Sequence, residues 1–156
     1  MLKRTGGKAT RSGGGEHYAI VASEYNARYV DALLRNAQTE LKAAGVRHIK
    51  VVRVPGAFEI PVIAAALAQS HLPRLSAIIC LGVVFQGETS HAQHISEAVS
   101  HALARLQLSQ VIPVIHGVYH FYNESQARVR CLSKSHNRGI EVARTALAMA
   151  RVMRTL

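Results

Sequence analysis

The chain has 156 residues, of which 49% are hydrophobic, and a formal net charge of +10. This length predicts one domain. No apolar run approaches the roughly 18 residues of a membrane span. The basic N-terminal segment is not followed by an apolar stretch, which excludes a secretory signal. We therefore expect a single-domain cytoplasmic protein without a membrane partner.

The first 16 residues differ in composition from the rest of the chain. They contain five of the eleven glycines and the basic residues Lys3, Arg4, Lys8 and Arg11, which predicts a flexible basic arm followed by one domain over residues 17–156. The charge also raises the hypothesis of nucleic-acid binding. Tryptophan is absent and no stacking motif of an RNA-binding module occurs. We expect no specific nucleic-acid partner, because charge alone gives only non-specific attraction.

Short apolar runs alternate with segments of helical periodicity along the remaining chain. The expected strands are residues 18–23, 48–54, 77–85 and 111–119, and the expected helices are 28–45, 59–70, 91–108, 124–132 and 140–153. Strands that are apolar on both faces and separated by helices are typical of a parallel sheet covered on both sides. We expect an α/β fold of flavodoxin-like type, a three-layer α/β/α sandwich around a four-stranded parallel sheet.

Ligands in open α/β sheets bind beyond the carboxyl ends of the strands, and the third predicted strand ends in the stretch FQGETSHAQH, residues 85–94. Gly87 allows the backbone to approach a ligand closely. Glu88, Thr89 and Ser90 place amides and hydroxyls at a predicted helix N-terminus, where an anion such as phosphate is favoured. Alternatively, Thr89 or Ser90 caps the helix without any ligand. The residues alone leave both interpretations open.

His91 falls in the first turn of that helix, beside the predicted phosphate site. The ordinary pKa of histidine, about 6.5, suits proton transfer at neutral pH. His94 and His101 share a helix face with His91, which raises the alternative of a metal site. No HExxH or paired-cysteine spacing accompanies them, so a proton carrier is the favoured interpretation.

Four further positions could contact a ligand. Tyr25 and Phe58 follow predicted strand ends and could stack on a flat heterocycle, although a single aromatic residue is more often part of the core. Glu59 could accept hydrogen bonds from a ring or a sugar, or simply occupy the first turn of a helix. Arg130 could clamp a phosphate through two hydrogen bonds, or be a solvated helix residue.

Four stretches carry a specific family resemblance: RVPGAFEIP, GVVFQGETSH, PVIHGV and QARVRCLSKSHNRGIEVARTALAMA. Together they closely resemble the lumazine synthase family, over about residues 18–153. The resemblance implies condensation of 5-amino-6-(D-ribitylamino)uracil with L-3,4-dihydroxy-2-butanone 4-phosphate to 6,7-dimethyl-8-ribityllumazine, phosphate and water. It implies no metal and no organic cofactor.

The resemblance also implies roles for particular residues. His91 matches the active-site histidine of the family and Arg130 its phosphate-binding arginine, which Glu141 would hold. Tyr25 matches the ring that stacks on the pyrimidine, and Glu88 and Thr89 match the loop that binds phosphate through its backbone. The implied substrate-binding positions are Tyr25, Ala57, Phe58, Glu59, Val83, Val84, Phe85, Glu88, Thr89 and His116, and the supporting positions are Asn26, Gly87, Lys134 and Glu141.

The resemblance further implies a homo-oligomer. Members of the family form pentamers whose sites lie between neighbouring subunits, and some assemble pentamers into an icosahedral shell. Riboflavin synthase is a candidate partner.

Three departures from the family pattern stand out. Tyr25 replaces a phenylalanine and keeps the stacking ring. His116 replaces the phenylalanine of PVxFG, so a titratable ring stands where the family has an apolar wall, and VYHFYN at residues 118–123 replaces a threonine-rich run. The last two departures support a second hypothesis, a relative that binds flavin or lumazine, or builds a shell, without catalysis. The presence of His91 and Arg130 favours the enzyme.

Overall fold

The computed structural model describes residues 11–156. The strands are β1 (His17–Ser23), β2 (His48–Val54), β3 (Ala77–Phe85) and β4 (Val114–Phe121). The helices are α1 (Ala27–Ala43), α2 (Ile60–Ser70), α3 (His91–Gln110), α4 (Glu124–Ala127) and α5 (Arg138–Arg154), with a 3-10 turn at Ala57–Glu59 and a π-helical turn at Arg128–Leu132. Within these residues, no helix combines the length and apolar character that crossing a membrane requires.

The predicted arm, residues 1–16, falls mostly outside the described residues. The part that is described contacts the domain. The Ser12 amide donates to the Ala44 carbonyl at 2.8 Å, and Glu16 forms an ion pair with Arg154 near the end of α5.

The four strands form one parallel sheet in the order β2-β1-β3-β4. One face of the sheet packs against α1, α4 and α5, and the other packs against α2 and α3. The two central strands, β1 and β3, are buried along most of their length because helices cover both faces. This confirms the three-layer α/β/α sandwich.

Most predicted boundaries lie within two residues of the observed ones, and two elements differ more. The strand predicted at residues 111–119 begins at Val114, because Val111 adopts a left-handed conformation (φ 50°) at the end of α3 and Pro113 lacks an amide hydrogen. The helix predicted at residues 124–132 is α4 followed by the π-helical turn. The side chain of buried Asn137 donates to the Cys131 carbonyl, which anchors that turn to the start of α5.

Gly139 brings α5 close to α1. A β-carbon at this position would collide with the backbone carbonyl oxygen of Leu33 in α1. Because α5 carries Arg138 and Glu141 in its first turn, this close contact positions two charged side chains beside the end of β4.

Candidate active site

The loops after three strands are tied together at the carboxyl end of the sheet. The Tyr25 amide donates to the Pro55 carbonyl at 3.0 Å, which joins the loops after β1 and β2. Asn26 has a left-handed backbone (φ 58°), and its side-chain amide donates to the Val83 carbonyl near the end of β3 at 2.8 Å. Asn26, predicted as a supporting residue, therefore fixes the loop that carries Tyr25.

Two aromatic rings are exposed at this end of the sheet. Tyr25 is 75% exposed and Phe58 is 62% exposed, whereas neighbouring Ala57 is buried. Both rings can therefore stack on a ligand, as exposed aromatic faces do. The Glu59 carboxylate accepts a hydrogen bond from the Gly56 amide at 2.9 Å, so it already stabilises the turn that precedes α2.

Side chains at the end of β3 point alternately to the two helical layers that cover the sheet. Val83 is buried, and the partly buried Phe85 packs with Tyr29 at 5.5 Å and with Phe121 at 6.2 Å between ring centroids. Val84 points to the opposite face, where it packs with the α2 and α3 core. Phe85 is thus a core aromatic residue within the single chain.

The loop between β3 and α3 leaves polar backbone groups free. Ser90 occupies the N-cap position of α3 but makes no side-chain cap; its hydroxyl lies 3.1 Å from Nε2 of His94. The Thr89 hydroxyl accepts from the His91 amide at a long 3.4 Å. Among residues 11–156, the amides of Gly87, Glu88, Thr89 and Ser90 have no hydrogen-bond partner. An anion could accept hydrogen bonds from them.

His91 is the first residue of α3 and is exposed beside this loop. Its position matches the prediction from the sequence. In the part of the chain that the structure describes, no group of three or more His, Cys, Asp or Glu side chains could hold a metal ion. His94, which the metal alternative required, contacts Ser90 instead.

His116 faces α3 from the end strand of the sheet. Its Nδ1 accepts from the Val118 amide at 3.2 Å, so the ring is neutral and Nε2 carries the proton. Nε2 lies 2.7 Å from the Ser100 hydroxyl, which in turn donates to the Ser96 carbonyl at 2.7 Å. Desolvation lowers the pKa of His116 below 6.5, although a backbone hydrogen bond acts in the opposite direction. The ring is therefore held in one tautomer.

An open cleft of about 440 Å³ runs along the free edge of β4. It is lined by Gln107, Val114, Ile115, His116, Tyr119, Glu141, Val142, Thr145 and Met149. Glu141, which the resemblance pairs with Arg130, forms an ion pair with Arg138. Burial raises the pKa of the Tyr119 hydroxyl well above 10, while the charges of Arg138 and Arg130 act to lower it.

The candidate site residues thus form two groups in the single chain. The loop group comprises Tyr25, Asn26 and residues 57–59 and 83–91. The edge group comprises the predicted residues His116, Arg130 and Glu141 together with Tyr119 and Arg138, which the sequence did not predict. Predicted Lys134 is exposed in the loop before α5. No hydrogen bond or ion pair within residues 11–156 joins His91 to Arg130. The helix that begins at His91 covers one face of the sheet, and the turn that carries Arg130 covers the other.

Comparisons with known proteins identify the family. Residues 15–154 match the family model described as 6,7-dimethyl-8-ribityllumazine synthase. The chain belongs to this family. Proteins of that name are similar to it: one from Stenotrophomonas maltophilia (strain R551-3) is 38% identical over 141 residues, covering 89% of this chain and 90% of the relative. One from Mycolicibacterium gilvum (strain PYR-GCK) is 41% identical over 140 residues, covering 88% and 86%. As a lumazine synthase family member, the chain is an enzyme, a transferase of riboflavin biosynthesis.

Sequence reasoning missed several polar residues that shape the site of this lumazine synthase family member. Gln86 and His120 bind each other across the end of the sheet at 2.9 Å, Ser100 holds His116, and Arg138 pairs with Glu141. A glutamine directly after a buried strand, and histidines inside another strand, were available signals. Ser100 gave no signal, because its role depends on where α3 lies against β4.

Proposed function

We propose that the enzyme condenses 5-amino-6-(D-ribitylamino)uracil with L-3,4-dihydroxy-2-butanone 4-phosphate to give 6,7-dimethyl-8-ribityllumazine, phosphate and water. Family membership supports the reaction class. The observation that carries the assignment is the loop at residues 88–90, whose unpartnered amides stand next to His91 at the start of a helix. This arrangement suits a phosphorylated substrate that must also exchange protons.

The pyrimidine would bind among the exposed groups of the loop group. Tyr25 and Phe58 offer exposed rings for stacking. The backbone around Ala57, the Glu59 carboxylate, and residues 83–85 would border the ring and the ribityl chain. Asn26 would act indirectly, by fixing the loop that carries Tyr25.

The phosphate would bind between amides and cations. The amides of Glu88 and Ser90 supply donors without a charge of their own. A β-carbon added at Gly87 would meet no protein atom within 4 Å, which leaves room for a ligand beside the backbone. Arg130 would add a bidentate cation, with Lys134 supporting it. These groups stabilise the negative charge that grows on phosphate as it leaves.

His91 would carry protons during the condensation. The 5-amino group attacks the ketone, and proton transfer through His91 lets the resulting carbinolamine lose water to form an imine. Elimination then releases phosphate, and the ribityl-bearing nitrogen closes the ring with loss of a second water. Positioning of two reactive substrates supplies most of the acceleration, since no further reactive group is required.

We also propose that the complete site contains two copies of the chain. The helix that begins at His91 and the turn that carries Arg130 cover opposite faces of the sheet in one chain, so a neighbouring copy would bring its Arg130 to the His91 of the first. A pentamer, or an icosahedral assembly of pentamers, would repeat this interface, and riboflavin synthase would be the partner that consumes the product. The exposed apolar side chains Val129 and Leu132 beside Arg130 fit a surface that a second copy covers.

The test measures lumazine formation by absorbance after the two substrates are mixed with enzyme. Wild type should exceed the uncatalysed rate, His91→Ala and Arg130→Ala should each approach that rate, and His101→Phe, an exposed position on α3, should match wild type. Assembling the two inactive variants together at equal amounts should recover about a quarter of the sites, because some interfaces then combine an intact His91 with an intact Arg130. A folded wild type without acceleration would refute the reaction, and no recovery on mixing would refute the shared site.

A further inference from the structure

We infer that His120 and Gln86 are positioning residues that shape the phosphate loop of the proposed site. The inference rests on the proposed function, and it concerns a contact between the end of β4 and the loop after β3. Gln86 directly follows β3, and its backbone amide donates to the Phe121 carbonyl at 2.8 Å. The side chains of Gln86 and His120 then meet at 2.9 Å.

The hydrogen bonds of Gln86 define which atom donates. Its side-chain nitrogen lies 3.0 Å from the Gly87 carbonyl and 2.9 Å from the Thr89 carbonyl. Carbonyl oxygens only accept, so this nitrogen is the amide group and uses both of its hydrogens. The remaining oxygen of Gln86 must accept, and Nε2 of His120 must therefore carry the proton that it donates.

These bonds orient the backbone of the loop. In a trans peptide, the carbonyl and the following amide point in opposite directions. When Gln86 draws the Gly87 and Thr89 carbonyls toward itself, the amides of Glu88 and Ser90 point away from it. These two belong to the four amides of residues 87–90 that lack a partner among the described residues, and the Gln86 contacts set the direction of these two in particular. His120 thus aims two backbone donors outward through Gln86, at the position proposed for phosphate.

The ring of His120 is itself supported by Tyr122, whose ring stacks on it at 5.3 Å between centroids. His120→Phe therefore keeps the stacked ring and removes only the donor. His120→Gln provides an N–H at a similar distance along the side chain and serves as the rescue variant. Gln86→Leu removes the link between His120 and the loop. His101→Phe, at an exposed position of α3, is the matched control.

The primary measurement is steady-state kinetics with each substrate varied in turn. His120→Phe should raise KM for the butanone phosphate by about two- to tenfold, the range expected for one hydrogen bond. The KM for the pyrimidine should stay unchanged, and His120→Gln should restore most of the loss. Adding His120→Phe to Gln86→Leu should cause no further change, because both act through one contact. An unchanged KM in folded His120→Phe and Gln86→Leu would overturn the inference.

Calorimetric titration with inorganic phosphate separates this inference from the proposed function. If wild type turns over but the variants bind phosphate as well as wild type does, the positioning role is refuted and the reaction stands. If wild type binds phosphate without turnover, and His120→Phe weakens that binding, the reaction is refuted and the positioning role stands. If wild type neither turns over nor binds phosphate, both are refuted. Should His120→Phe fail to fold, Gln86→Leu and His120→Gln decide the same question.

Discussion

Histidines lie at both ends of the sheet, and the two sets are held in different ways. At the amino end, His17 and His48 begin adjacent parallel strands as register partners, and their rings stack 4.2 Å apart with 6° between their planes. His71 lies 6.0 Å from His17. His116 in the first half of β4 and His120 near the carboxyl end of that strand instead hydrogen-bond to Ser100 and Gln86.

The difference shows how neighbours set the state of an imidazole. Desolvation lowers the pKa of His17, and the charges of His48 and His71 lower it further, because a like charge nearby disfavours protonation of the ring. The ring of His116 accepts one hydrogen bond and donates another, so its neutral tautomer is fixed. In the cluster around His17, protonation is opposed by charge repulsion. On β4, His116 and His120 each offer a defined N–H donor to a neighbouring helix or loop.

The largest expected effect on stability comes from the contact that organises the carboxyl end. Asn26→Leu loses the hydrogen bond to Val83 and places a residue without a polar side chain at a positive φ, which together should lower the free energy of unfolding by about 2–3 kcal/mol. Asn26→Gly keeps the conformation and loses only the hydrogen bond, about 1 kcal/mol. Denaturant unfolding measures both. Equal losses in the two variants would show that backbone conformation plays no part.

A second, smaller effect concerns His116 and pH. Because its folded pKa is lowered mainly by desolvation, neutral His116 contributes stability that is complete above pH 6.5 and is lost as the pH falls through the folded value. Protonation also breaks the bond from the Val118 amide to Nδ1. His116→Phe should therefore flatten the loss of thermal stability between neutral and mildly acid pH. A profile parallel to that of wild type would contradict this assignment. Ser100→Ala, which spares the Val118 bond, should fall between the two.

Much of the fold follows from local sequence patterns, but the detail near the site does not. The strands at residues 77–85 and 48–54 are predicted at their observed bounds, because an apolar run flanked by polar or proline residues defines them. The helix N-terminus at His91 is also predicted, since the polar stretch before it marks the boundary. The start of β4 is missed because Val111 is left-handed at the end of α3. The turn at Arg128–Leu132 is missed because its geometry depends on the hydrogen bond from Asn137 to the Cys131 carbonyl.

The site divides in the same way. The loop group is predictable because parallel strands end at one edge of a sheet, which brings Tyr25, Phe58 and His91 to the same end. The edge group depends on which helix covers which face, although the pairing of Arg138 with Glu141 follows an (i, i+3) spacing that a helix at these residues predicts. Roles that depend on a second copy of the chain are the hardest to predict from the sequence, since they require knowing how two surfaces pack together.

The smallest expected effect tests the amino end of the sheet. The pKa of His17 is lowered first by desolvation, then by the charge of His48, and then by that of His71. His48→Phe keeps a ring for stacking and removes the charge that has the larger effect on His17. The pKa of His17 should therefore rise part of the way toward 6.5, and acid should destabilise the variant less than wild type. His71→Phe should act in the same direction with a smaller shift. NMR titration of the His17 ring measures both, with His116 as the internal reference, because no neighbouring charge contributes to its shift. An equal pKa change in His17 and His116 would show that the substitution acts beyond its immediate neighbours. An unchanged pKa of His17 would show that desolvation alone lowers it.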